Sequence, residues 1–379
     1  MQTFPAPTFP AVDPIPLPAP IWLIKLLHIV TLALHFVAVE MLLGGLLLAV
    51  LFSLFRSSPQ SLVTARALAR RMTVVMTYVI NLGVPPLLFA QVLYGRALYT
   101  SSVLIGLYWI SIIGILTLTY WLLYQFTARL EAGKSAWYIG LGAWVLAGFI
   151  ARLLSTNMTL MLRPEVWRDM YAASGAGAYL PAGDPTLEPR WLLMLAGGFF
   201  IGGLWLIYLA GRSTFTADEK SFITGVGGKV AAGFGIVYLA AGFWAVSVQP
   251  EAVKIGLGTH PLYKWFGYAG YGWIALVAIA ILLAAYAGFA KVSAGLAGIL
   301  AWAAVLVAVL TEIMFTVYRD AVRDLTLLSK GYDVWDRAVA TNWWVVGLFL
   351  VLFVAGLGVV GWLVSVVARA KKVMEAASI

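Results

Sequence analysis

Residues 21–55 read IWLIKLLHIVTLALHFVAVEMLLGGLLLAVLFSLF. An apolar run this long exceeds the roughly 20 residues needed to cross the hydrocarbon of a bilayer. In lipid, a helix satisfies every backbone N–H and C=O within its own segment. Further runs of the same kind follow at 73–98, 101–127, 136–162, 190–211, 229–248, 264–290, 294–319 and 342–369. The sequence therefore predicts an all-α polytopic membrane protein of about nine transmembrane helices. Residues 21–369 form one transmembrane domain between an extended Pro-rich tail at 1–20 and a short tail at 370–379.

Composition agrees. Of 379 residues, 62% are hydrophobic and only 11% charged, whereas soluble domains carry about 25% charged residues, so a soluble core is excluded. The net charge of +9 comes from short basic clusters between the apolar runs: 56–71, 129–134, 212–229, Lys291, and Arg369, Lys371 and Lys372 at the end. The positive-inside rule puts that side in the cytoplasm, and no nucleic-acid partner is expected. The N-terminus and the longer loops 163–190, 249–264 and 319–342 then face the periplasm, with the C-terminus cytoplasmic, in the inner membrane of a bacterium or archaeon. The tail at 1–20 lacks the positive n-region of a signal peptide and reads as extended and solvated. Trp109, Trp167, Trp191, Trp265, Trp335, Trp343 and Trp344 lie near span ends, where tryptophans anchor at the interface. There is no cysteine, which excludes disulfides, thiolate metal sites, iron–sulfur clusters and covalent c-type haem in this chain.

Polar residues inside a span are costly and are candidates for function. They are His28, His35 and Glu40 in the first span, Gln91 in the second and Glu312 in the eighth. His28 and His35 are seven apart, on one helix face and separated by about 10 Å, too far to share one iron. Counted from the span ends, His28, Gln91 and Glu312 fall at a common depth, with His35 nearer the midplane. Neutral imidazole is a usual haem ligand, which favours a functional role for His35 with Glu312. The alternative is that these groups simply hydrogen-bond neighbouring helices. Glu40, rotated about 140° from His35, faces another helix or the inner leaflet. His260 reads as a solvated loop histidine, and Arg319, Asp320, Arg323 and Asp324 as an exposed network capping the eighth span, worth little each. Gly197, Gly198, Gly202 and Gly203 form a small-residue face suited to helix packing.

The first span carries LHFVAVEMLLGG, with His35 followed by Phe36 and, nine residues on, Gly44. This resembles the first helix of cytochrome bd oxidase subunit I, where the histidine of a His-Phe pair ligates an active-site haem. The stretch 81–99, NLGVPPLLFAQVLYGRALY, is similar to that family's Gly-x-Pro turn before an intramembrane glutamate, with Gln91 in the glutamate's place. The fourth span ends STNMTLM, similar to the family's Ser-Asn sequence before the long outer loop. The resemblance implies b-type haem at His35, and places Glu312 at the glutamate that ligates a second haem, although the motif following that glutamate is missing. It also implies losses. Leu193 and Phe266 stand where the family has its low-spin haem ligands, the quinol loop is reduced to 249–264, and Gln91 replaces an acid.

The expectation is a divergent electron-transfer subunit of a respiratory complex. It would bind b-type haem through His35, with His28 as a second candidate ligand and Glu312 or Met314 as partners, and exchange electrons with a periplasmic c-type cytochrome alongside other membrane subunits. One alternative is a haem-free membrane anchor or scaffold. Another is a proton or small-solute transporter using Glu40, His28, His35 and Glu312 as a relay, disfavoured because an odd helix count fits poorly with inverted repeats.

Overall fold

A computed structural model of the chain describes residues 15–181, 183–212, 215–290, 292 and 294–377. Most of the N-terminal tail, Lys291 and the last two residues lie outside these. The described chain is almost wholly helical: α1 Ile21–Phe55, α2 Pro59–Leu104, α3 Gly106–Glu131, α4 Trp137–Leu160, α5 Trp167–Ala173, α6 Leu187–Arg212, α7 Ala217–Ser247, α8 Glu251–Thr259, α9 Tyr263–Phe289, α10 Ala294–Leu328 and α11 Trp343–Ala377. Eight of these helices are long and apolar enough to cross a membrane, and α11 opens with a shorter apolar stretch, Trp343–Gly356. The outward faces are apolar, with Ile110 74%, Ile113 73% and Leu282 71% exposed, the reverse of a soluble bundle and what a lipid solvent requires.

Short connections make sequential helices antiparallel neighbours. After Phe55 the chain turns at Arg56, whose φ of 40° and ψ of 39° are left-handed. Ser58 then caps α2 by accepting from Ser61 N, with Pro59 at the first helical position, where no N–H is needed. Helix α2 thus starts well before the span expected at 73–98, and Arg66, Arg70 and Arg71 lie on helix rather than loop. Thr216 and Glu219 form a reciprocal capping box that starts α7 at Ala217, twelve residues before the apolar run at 229.

Helix α1 is the central element, packed on α2, α4, α6 and α10. Its contact with α6 depends on glycine. A Cβ on Gly44 would fall on the Gly198 carbonyl, and one on Gly202 would lie 3.2 Å from the Gly44 backbone. A Cβ on Gly203 would in turn lie 2.6 Å from Ala231 N of α7. The small-residue face read from the sequence is therefore a packing surface, allowing backbones to approach closely where apolar solvent gives no hydrophobic drive. The end of the tail is pinned rather than solvated. Leu17 is buried, its N–H donates to Ala338 O at 2.8 Å, and its own carbonyl accepts from Ala340 N at 2.9 Å.

Helix α10 departs from expectation at its C-terminal end. The apolar run suggested an end at Arg319, but the helix continues to Leu328. The nine extra residues bring charged side chains into the bundle, and what neutralises them there is the first half of the candidate site.

Candidate functional site

Asp320 and Asp324 are four apart, and Lys25 and His28 three apart, so each pair shares a helix face. Because α1 and α10 run antiparallel, the two faces meet. Lys25 Nζ donates to Asp320 Oδ2 at 2.8 Å, to Tyr94 Oη at 3.0 Å and to Asp324 Oδ2, which uses all three of its protons. Tyr94 and Tyr263 donate to Asp324 at 2.8 and 3.1 Å. Arg323 lies 3.6 Å from Asp320. Lys25, Asp320, Arg323 and Asp324 are 2–5% exposed. Lys25 and Arg323 are paired directly with the two carboxylates, which is what makes their burial tolerable; Arg319 and Arg190 bring further positive charge close to the cluster. Tyr94 reaches it from a local break in α2, where φ −126° and ψ 24° leave helical values.

These charges were expected at the surface, so the structure corrects that reading: Asp320, Arg323 and Asp324 are buried and paired, while Arg319 is half-buried with its guanidinium over the Phe36 ring. Lys25 did not figure among the intramembrane candidates. The signals that could have found it were a lysine four residues into an apolar helix, which demands a partner, and the i,i+4 aspartates able to supply one.

His28 belongs to the same cluster. Arg323 Nη1 lies 2.9 Å from His28 Nε2. Arginine can only donate, so Nε2 accepts and the proton resides on Nδ1, which donates to Pro86 O at 3.0 Å. Both ring nitrogens are committed to protein, and none remains for iron. The expected common depth of His28, Gln91 and Glu312 also fails. His28 pairs with Arg323, eleven residues and about 16 Å along α10 from Glu312. The depth had been counted from Arg319, nine residues short of the true helix end. Gln91 is half-buried on α2.

A second cluster lies deeper. Tyr238 Oη donates to Glu312 Oε1 at 3.0 Å, and Glu40 packs beside the same phenol, since a Cβ built on Gly197 would meet both Glu40 and, at 3.0 Å, Tyr238 Cε2. Glu312 is fully buried and Glu40 is 4% exposed. Gly197 of α6 makes the room, since a Cβ there would collide with Glu40 Oε1. Trp273 of α9 sets its ring edge-on against Tyr238, centroids 5.1 Å apart. Glu40, rotated away from His35 as expected, thus joins Glu312.

His35 stands apart from both clusters. It turns toward α2, where the Val79 backbone lies beside the imidazole and a Cβ on Gly83 would lie 2.8 Å from His35 Cε1; its Nδ1 is buried without a hydrogen-bond partner. Met314 faces Gly272 of α9, not His35, with its Sδ 3.2 Å from a Cβ built there. His260 Nδ1 accepts from the N–H groups of Leu262 and Tyr263, both at 3.3 Å, and so fixes the start of α9. Leu193 is buried and Phe266 packs near Tyr263; neither side chain has a donor atom for iron. As a test of fit for haem, the residues present offer one unpartnered ring nitrogen that could hold iron, His35 Nδ1, which faces Gly83 of α2, 3.1 Å from a Cβ built there. No group of three or more His, Asp or Glu that could hold a metal ion occurs among the described residues.

The fold is similar to that in the structure of bd oxidase from Geobacillus thermodenitrificans, with a TM-score of 0.61 over 88% of this chain and 94% of that one, at 12% identity. At that identity the likeness concerns the fold. No protein-family model matches the sequence, and no curated protein matches it.

Proposed function

We propose that this chain is a membrane subunit of a respiratory complex of the bd-oxidase kind, and that it binds a single b-type haem through His35. The observation that carries the reading is the buried, unpartnered Nδ1 of His35, on the first helix of a fold shared with a bd oxidase. An orphaned imidazole nitrogen inside a span is costly unless something uses it. Haem iron, when bound, would supply one-electron chemistry. His35 would hold it, with the close contact at Gly83 restricting the imidazole. Lys25, Asp320, Asp324 and Arg323 would fix α1 against α10 and set the height of His35 in the bilayer. In this reading the N-terminus faces the periplasm, and a c-type cytochrome exchanges electrons at that side, because a chain without cysteine cannot carry covalent haem itself.

Reduced-minus-oxidised spectra of the purified protein test it. A Soret difference that disappears in His35→Ala and survives in His28→Leu is expected. A flat Soret region in the wild-type protein refutes the haem assignment. The observation that favours a second reading, a haem-free anchor subunit, is the use of both His28 nitrogens to tie α1 to α2 and α10. On that reading His35→Ala leaves assembly and activity intact.

A further inference from the structure

We propose that the groove between the end of α2 and α5 binds the headgroup of an anionic phospholipid, with Arg168 holding its phosphodiester. The inference is independent of haem and of any partner subunit. The groove has a volume of about 440 Å³ and is lined by Tyr99, Thr100 and Val103 of α2 and by Trp167, Arg168 and Tyr171 of α5. Helix α5 has only seven residues, too few to span, and is pinned across the end of α2. Met170, 3% exposed, packs with Leu104, Ile105 and Leu160. Trp167 Nε1 donates to Leu160 O at 2.9 Å, which fixes the indole as one wall. The side toward the bilayer is open, with Tyr99, Val103 and Tyr171 57%, 62% and 63% exposed. Tyr99 lies five residues before the last residue of α2, about 8 Å along the axis, so the groove runs from the helix end into the apolar span.

Charge in this groove is unbalanced. Glu165, one turn before Arg168, is taken by Lys330 at 2.8 Å and by Arg163 at 3.4 Å. No acidic side chain lines the groove, and among the described residues Arg168 makes no ion pair or hydrogen bond. The Tyr99 and Tyr171 hydroxyls likewise have no hydrogen-bond partner among the described residues. A guanidinium that can take a phosphate through two N–H groups and two phenolic donors therefore line one opening. An ammonium-bearing headgroup would meet no carboxylate there, so the charge fits a net-anionic lipid. Tryptophan and tyrosine rings suit the level of the headgroup and glycerol esters, apolar in the body and polar at one end. The Tyr99 ring and Val103 continue the groove downward as an apolar surface for the first methylenes of an acyl chain. That surface commits the site to a lipid, because a free phosphate ion would leave it uncovered. Aromatic side chains at a span end are ordinary anchors by themselves; the unpaired cation set in a concave wall beside them is what makes a site.

Native mass spectrometry of the full-length protein in non-ionic detergent, with phosphatidylglycerol and phosphatidylcholine added in equal amounts, tests this. The wild-type protein is expected to retain phosphatidylglycerol in preference to phosphatidylcholine. Arg168→Gln removes the charge and lowers the retained phosphatidylglycerol about 5-fold, the effect of one basic side chain at a membrane surface. Val103→Trp keeps the charge but fills the groove, and lowers retention as well. Should one variant fail to fold, the other decides alone. Arg70→Gln, which removes a basic side chain from an exposed ion pair with Glu131 elsewhere on the protein, leaves retention unchanged. Equal retention of the two lipids by the wild-type protein, or the same preference in Arg168→Gln and Val103→Trp, overturns the proposal. So does displacement of the bound lipid by inorganic phosphate, which would mark a simple anion site. None of these readouts depends on a Soret signal, so loss of the haem assignment and loss of this site are separate results.

Discussion

Removing Lys25 is the sharpest test of the buried charge cluster. In the intact protein Lys25 and Arg323 pair with two carboxylates, Asp320 and Asp324, and the Lys25, Asp320 and Asp324 side chains are at most 4% exposed. Lys25→Met keeps the length of the side chain and removes its charge, so that Asp324 loses the cation it is paired with and Asp320 keeps only Arg323. The cost of stranding a buried charge in this way is about 3–5 kcal/mol, which is roughly a 100- to 4,000-fold loss in the ratio of folded to unfolded protein. Adding Asp324→Asn leaves Arg323 paired with Asp320, while the amide oxygen still accepts from Tyr94 and the amide NH2 takes the place of the oxygen that accepted from Tyr263, so that it donates to that hydroxyl instead. The double variant is therefore expected to be more stable than Lys25→Met alone, because replacing a whole buried pair by uncharged groups is often near neutral. Equilibrium unfolding in mixed detergent micelles, followed by tryptophan fluorescence, measures all three proteins. Additive losses, with the double variant less stable than either single one, would refute the argument that charge balance holds α1 to α10.

Gly44→Ala places a methyl group on the Gly198 backbone, and neither backbone can rotate away. A loss of at least about 1–3 kcal/mol is expected, seen as reduced yield of detergent-stable protein, whereas Gly95→Ala, with open space around it, changes little. His28→Leu strands the Arg323 donor and the Pro86 carbonyl at a cost of about 1–3 kcal/mol; unchanged stability would mean that those hydrogen bonds do not form. Outside the membrane, partial burial pushes the Glu165 carboxyl up, but the hydrogen bond and charge of Lys330 at 2.8 Å outweigh it and hold the group below its ordinary value. A lowered folded value stabilises above the unfolded carboxylate range and is lost as pH falls through the folded value. Lys330→Met should therefore remove a small acid-side dependence of stability, under about 1 kcal/mol since both groups are partly exposed. Identical unfolding curves at neutral and acid pH for wild type and variant, relative to each other, would count against that link.

The architecture was legible because lipid imposes a single rule on every span, so long apolar runs had to be helices, and residues 21–55 coincide with α1. The glycine face of the fifth span was legible for a similar reason: small residues at regular spacing serve close packing. Helix ends were harder. Hydropathy stops at the first charge, whereas α10 runs through Arg319, Asp320, Arg323 and Asp324, since a cation on a helix nearly 300 positions away neutralises the acids. That mistaken end displaced the depth assigned to Glu312, set it level with His28, and hid its true neighbour Glu40.

What the amino-acid order alone determined is the solvent: a chain this apolar belongs in a bilayer, as helices, with few polar groups inside and no cysteine chemistry. Which of those polar groups meet was decided only by the antiparallel packing of α1 and α10. That packing gave His28 to Arg323 and Glu40 to Glu312, and left His35 with a ring nitrogen unpartnered. The physical reason is that burial of a charge is settled by its partner, and a partner distant in sequence carries no local signal.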